Sequence, residues 1–240
     1  LLEGSHLVRY DRRRGILQPT ALGRIASRFY LSYQSMAIYT KHMRPNMSDI
    51  EIFRLFAMSG EFSHVTVRED EKLELAKLSA RVPVPIKEAP TDKLAKINVL
   101  LQAYISRMKL DGFALAADMA FVQQSAARIM RALFEIALRK NWSSLARLCL
   151  ELSSMVVNRV WRSQTPLRQF KNLPEAVARK LESKTDVDWG RYVHLTPADI
   201  GELVSVPKMG RILHTVRHKR KLSPDLTLVT ACSPIPTSRG

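Results

Sequence analysis

The sequence predicts a mainly α-helical chain. It reads as a helical bundle around one long helix, then a helix–hairpin–helix-like domain, with a β-hairpin at the start and the first strand of a truncated β-domain at the end. Three observations carry this. Residues 113–142 hold an uninterrupted amphipathic pattern. Residues 48–58, 92–108 and 143–161 repeat apolar side chains at i, i+3 and i+4, the spacing of one buried helix face. Period-two alternation occurs only near the two ends, so strands are confined there.

Taken in order, His6 to Tyr10 and Gly15 to Gln18 flank Asp11-Arg12-Arg13-Arg14, a basic hairpin over residues 1–19. A basic hairpin leading into a helix resembles the wing ending a winged-helix domain; a plain surface hairpin has the same pattern. Residues 20–30 and 32–42 are the first helices, stopped by Pro45. Ser48-Asp49-Ile50-Glu51 is a capping box, with a hydroxyl and a carboxylate three residues apart serving two orphan amides. It opens a helix through Met58. A helix over 69–81 ends at Pro83 and Pro85, and residues 83–90 form an extended connector. Residues 92–108 bury Ile97, Leu100, Leu101, Tyr104, Ile105 and Met108.

The long helix follows, opening near Gly112 and running over 113–141. At about 100° per residue, Phe121, Gln124, Ser125, Arg128, Arg131, Glu135 and Arg139 share one arc. Val122, Ala126, Ile129, Met130, Leu133, Ile136 and Ala137 share the other. Guanidinium groups suit phosphate, amide and hydroxyl suit sugar or base, and a ring suits stacking, so the polar arc fits a nucleic-acid strand. A plain solvated helix surface shows the same periodicity. The helix over 143–161 packs Leu145, Leu148, Leu152, Met155 and Val156 and closes the bundle at residue 165.

Residues 166–222 change character. Short helices are expected over 174–183, 197–204 and 208–218, with Thr196-Pro197 as an N-cap and first-turn proline. Pro207-Lys208-Met209-Gly210 joins the last two, and such a turn can offer backbone amides to a phosphate. Lys208 and Gly210, with Arg12, Arg13 and Arg14, are therefore candidate phosphate contacts. An ordinary helix connection is an equal reading of that turn. Residues 225–230 alternate as a strand that needs partners beyond residue 240. The chain thus reads as a fragment of something longer.

The formal net charge is +16 and the pI about 10.2, which implies a polyanionic partner. The charge is segregated. Residues 1–45 hold 8 Lys/Arg against 2 acids, 46–120 hold 10 against 11, and 121–223 hold 19 against 8. A neutral middle between basic flanks argues for a binding face. Cys149 and Cys232 make no disulfide framework and no zinc set, which fits a reducing compartment. The six histidines show no metal spacing, no phosphate-binding glycine loop exists, and no apolar run reaches membrane-spanning length. The expectation is a module with no catalytic residue, no metal and no cofactor of its own.

Five strings together carry a resemblance: SGEFSHVTVRE at 59–69, KINVLLQAYIS at 96–106, DMAFVQQSAARIMRALFE at 118–135, PLRQF at 166–170 and IGELVSVPKMG at 200–210. They resemble the Sec-63-like unit of the large DExH-box RNA helicases of the Ski-2-like group. That resemblance implies a winged-helix wing, a bundle with a long ratchet helix, a helix–loop–helix domain, and a fibronectin-III-like or immunoglobulin-like domain from residue 223. It implies that Phe121, Gln124, Ser125, Arg128 and Arg131 face single-stranded RNA leaving RecA-like motor domains, and that those domains, elsewhere in the same polypeptide, would hold ATP and magnesium. The PKMG turn and Ala117-Asp118-Met119 favour the spliceosomal branch, for which U4/U6 small nuclear RNA, U5 ribonucleoprotein partners and a nuclear location are implied. Ala126-Ala127-Arg128-Ile129 and residues 132–140 are similar also to the branch found in the activating signal cointegrator complex. An inactive, protein-binding scaffold cassette is a further reading, and the translocation protein of the endoplasmic reticulum shares the module name. The basic run over 217–221 and the residues after Thr230 depart from the family pattern.

Overall fold

The computed structural model describes residues 2–169, 174–183, 195–203 and 206–220. The chain divides into two compact units, Leu1–Lys171 and Asn172–Gly240. The strand expected over 225–230 and the domain expected from 223 lie outside the described residues.

In the first unit, β1 (Val8–Asp11) pairs antiparallel with β2 (Ile16–Pro19), Val8 opposite Pro19 and Asp11 opposite Ile16. Gly15 takes φ +66°, and Asp11 Oδ1 accepts from Arg13 N at 3.0 Å and Arg14 N at 3.3 Å, which closes the turn. The hairpin is tied to helix α1 (Ala21–Arg28) through Thr20. Its amide donates to Leu7 O and its hydroxyl to His6 O, while Oγ1 caps the helix by accepting from Gly23 N. Helix α2 (Tyr33–His42) is capped by Ser32, and α3 (Asp49–Ala57) by the Ser48–Glu51 box.

The helix expected over 69–81 is split. Glu69–Glu71 forms a single 3₁₀ turn, and α4 runs only over Lys72–Ser79. The cause lies inside the protein. Lys96 of α5 (Lys93–Ile105) is buried and draws Glu71 inward: Lys96 Nζ lies 2.5 Å from Glu71 Oε2, 2.6 Å from Asp118 Oδ2 and 2.8 Å from Thr66 O. Arg68 holds the other Glu71 oxygen at 2.7 Å. Burial raises the Glu71 pKa, but the hydrogen bonds from Lys96 and Arg68 outweigh it and keep the carboxyl below its usual range. Farther along α5, the Gln102 amide pairs with both the N–H and the C=O of Val84 at 2.9 Å and donates to Asn98 Oδ1. The connector over 83–90 is thereby stitched to the bundle.

Helix α6 (Phe113–Arg139) is 27 residues, about 40 Å long, and packs against α5, α1 and α7 (Ser143–Asn158). Every residue of its predicted apolar arc is buried. Helix α5 ends at Ile105 because Arg107 turns left-handed, and α7 ends at Asn158 because Arg159 does the same. The two arginines clamp each other's helix ends. Arg107 donates to Asn158 O and Arg159 O; Arg159 donates to Tyr104 O and covers the Tyr104 ring. Tyr104 and Met108 are half-buried rather than buried as the periodicity predicts. Trp161 leaves the α7 axis, packs on Phe53 and donates to Ser106 Oγ at 2.8 Å.

In the second unit, α8 (Glu175–Ser183) presents Val177, Ala178 and Leu181 as its buried stripe. Helices α9 (Pro197–Leu203) and α10 (Pro207–Arg220) pack tightly on each other. Thr196 and Asp199 form a reciprocal cap on α9. Residues 207–210 are not the connecting turn that the sequence predicts; they are the first turn of α10. Gly210 is buried, and a Cβ there would lie 2.8 Å from Gly201 N and overlap Pro197 O. The pair Gly201 and Gly210 is thus where two backbones meet.

Candidate nucleic-acid interface

The polar arc of α6 is a strip of unequal parts. Gln124, Arg131 and Arg139 are exposed, and Phe121 and Arg128 are half-exposed. Glu135 pairs with Arg28 of α1 at 3.2 Å. Ser125 departs from its sequence-based place: it is 4% exposed and lies beneath Arg128, accepting a hydrogen bond from Nη2 at 2.9 Å. A serine is small enough for the arginine above to cover it, so its arc position does not make it a surface residue.

Arg128 is committed to the protein. Its Nη1 donates to Phe29 O at 3.1 Å and to Tyr30 O, the carbonyls at the end of α1. The guanidinium therefore holds the α1–α2 corner to the middle of α6, leaving part of its surface outward. At the neighbouring turn of the arc, Phe121 meets His64 edge-on at 4.6 Å between centroids and Phe62 at 6.2 Å. Phe121 thus has one edge in the core, while His64 is exposed.

A polar floor supports this corner. Glu61 accepts from Ser32 N at 2.9 Å and from the Ser35 hydroxyl, and Ser35 Oγ accepts from Gly60 N at 2.8 Å. Tyr39 is buried with its hydroxyl 2.6 Å from Ser59 Oγ, and burial pushes its phenol above the ordinary range. These bonds fix residues 29–35 against residues 59–61.

The sequence reading missed Arg28, Tyr30 and His64, which come from other elements to border the α6 arc. The available signal for Tyr30 was an aromatic residue at a helix stop where glycine or asparagine is usual. Elsewhere, Arg12, Arg13 and Arg14 are exposed at the hairpin tip, and Lys208 is exposed on the first turn of α10. Gly210 is buried on the same turn, packed against Pro197 and Gly201. The basic run over 217–221 passes outside the described side chains. The Lys96–Glu71–Asp118 cluster is a lock between α5 and α6, since each carboxylate is already matched by a cation. Burial pushes the Cys149 thiol up to about 12, so it is an inert core residue. Among the described residues, no helix is long and apolar enough to cross a membrane.

Comparison with known proteins adds the family. The model of the Sec63 Brl domain family matches residues 19–239. The chain is 52% identical over 234 residues to the U5 small nuclear ribonucleoprotein 200 kDa helicase of Drosophila melanogaster, covering 98% of this chain and 11% of that protein. It is 52% identical over 216 residues to the pre-mRNA-splicing factor brr2 of Schizosaccharomyces pombe, covering 90% of this chain and 10% of that protein. It is 48% identical over 238 residues to the human U5 small nuclear ribonucleoprotein 200 kDa helicase, covering 99% of this chain and 11% of that protein. The chain therefore spans about a tenth of the length of these relatives.

Proposed function

This chain belongs to the Sec63 Brl domain family, and on that premise we propose that it is the RNA-strand-guiding module of a spliceosomal ATP-dependent RNA helicase. The observation that carries the reading is the α6 strip: exposed Gln124 and Arg131, half-exposed Phe121 and Arg128, on one rigid helix. Cations to hold phosphates and a ring to accept a base, spaced along a helix, suit a single strand sliding without sequence preference. ATP and magnesium would belong to RecA-like motor domains of the parent polypeptide. The RNA would be that of U4/U6, the location the nucleus, and the neighbours the motor domains and U5 ribonucleoprotein proteins. The spliceosomal names of the relatives support this branch over the activating signal cointegrator complex.

A second reading, a protein-interaction scaffold, is favoured by one observation: Ser125 and Arg128 are engaged inside the protein. The two separate in a salt titration of fluorescent single-stranded RNA against this chain. The RNA-guiding reading expects log Kd to rise linearly with log salt, with a slope of about 0.7 per phosphate contacted. No binding at low salt leaves the scaffold reading.

A further inference from the structure

Tyr30 occupies a position where the fold has no use for an aromatic ring. Helix α1 ends with Tyr30 N–H donating to Ser27 O at 3.3 Å and Leu31 N–H to Ala26 O at 2.9 Å. In that stop the residue after the cap is left-handed, and Tyr30 has φ +51°. Glycine or asparagine is the usual occupant, because a side chain there crowds the following carbonyl. The apolar contact that accompanies such a stop is supplied by Ala26 and Leu31, both buried. Tyr30 itself is 84% exposed.

The strained corner is held from both sides. Arg128 grips the carbonyls of Phe29 and Tyr30 and is itself braced on Ser125. Two residues on, Ser32 is fixed by Glu61. The Tyr30 backbone is therefore set beside α6 at the level of Arg128. Arg131 lies one helical turn along the same arc, and Arg28 meets that arc at Glu135. A ring on a fixed backbone, whose carbonyl is held by the Arg128 guanidinium, suits a nucleobase and its phosphate, which need a face to stack on and a cation nearby. A backbone outlier that the surroundings hold in place is also the kind found at binding sites.

We propose that Tyr30 is a nucleobase-stacking residue of the RNA path, and that Arg128 acts on RNA chiefly by positioning it. This rests on the RNA-guiding reading and names a contact within it. The test uses Tyr30→Gly and Tyr30→Phe, read by fluorescence anisotropy on single-stranded oligouridine and on an abasic strand of equal length, with thermal melting alongside. Tyr30→Gly should weaken oligouridine binding about five- to a hundredfold, the range of one lost base stack. Its melting temperature should hold or rise, because glycine relieves the left-handed strain. Tyr30→Phe should bind like the unaltered chain, and on the abasic strand all three should bind alike. Unchanged oligouridine binding by Tyr30→Gly overturns the proposal while leaving the RNA-guiding reading intact. So does an equal loss on the abasic strand, which would mean that the contact is not with a base, or a sharp fall in melting temperature. If the unaltered chain binds neither strand, the underlying reading fails and the proposal falls with it.

Discussion

Replacing Arg128 by leucine should destabilise the first unit, although helix propensity alone predicts no effect because arginine and leucine rank alike. The structure supplies the cost. Leucine removes the donors to Phe29 O, Tyr30 O and Ser125 Oγ. Water can replace the guanidinium at Tyr30 O, which is exposed. The half-buried Phe29 O and the buried Ser125 hydroxyl are less easily compensated. Charge-assisted bonds are worth about 1.5–3 kcal/mol each when their loss is uncompensated, and less where water enters. A net loss of about 2 kcal/mol corresponds to a melting temperature lower by about 6 °C at this domain size. Ser125→Leu should act on the same corner by pushing Arg128 off its carbonyls, at about 1–3 kcal/mol for overpacking. Because the two residues touch, the double variant should lose clearly less than the sum of the singles. Differential scanning fluorimetry with urea titration measures all three. An Arg128→Leu variant that melts within about 1 °C of the unaltered chain would refute the clamp.

Three further outcomes follow from the packing. Lys96→Met should cost about 3–5 kcal/mol in urea unfolding, since it leaves buried Glu71 and half-buried Asp118 beside Arg68 alone; a loss under about 1 kcal/mol would mean that the cluster is not closed to water. Glu71 has a folded pKa below its unfolded value, so its contribution to stability is full above the unfolded value and lost as pH falls through the folded one. Acid unfolding below about pH 4 should therefore be shifted in Glu71→Gln, and an unchanged acid profile would show that Glu71 does not carry it. Gly210→Ala should loosen the α9–α10 contact by about 1–3 kcal/mol, seen as faster amide exchange in residues 197–203 and 207–215, with α5 to α7 unaffected.

Much of the bundle was legible because periodicity and capping are local. Every apolar position read on α6 is buried, and the Ser48–Glu51 box forms as spaced. Helix ends set by long-range partners were not legible. Nothing near Glu71 in the sequence announces Lys96, which turns a smooth helix start into a 3₁₀ turn. Nothing near Arg107 announces Arg159, whose clamp ends two helices early. The candidate site shows the same division. The wheel placed Gln124 and Arg131 on the surface, but it could not see that Arg128 would fold back over Ser125 to reach α1, or that Tyr30 and His64 would arrive from other segments. The close approach of the Gly201 and Gly210 backbones was hidden for a related reason, since a glycine in a short helix pair can open a turn or admit a neighbouring backbone, and the spacing is the same for both.

The central claim is that single-stranded RNA runs along the polar strip of α6. The most direct measurement is photo-crosslinking of 4-thiouridine-substituted single-stranded RNA to the intact parent protein, with the attachment sites mapped by peptide mass spectrometry. The account predicts that the crosslinks within this chain concentrate on α6 between Phe121 and Arg131 and on the corner carrying Tyr30, and that they fade as salt is raised. Crosslinks that spare both segments, while other parts of the same molecule are labelled, would contradict it.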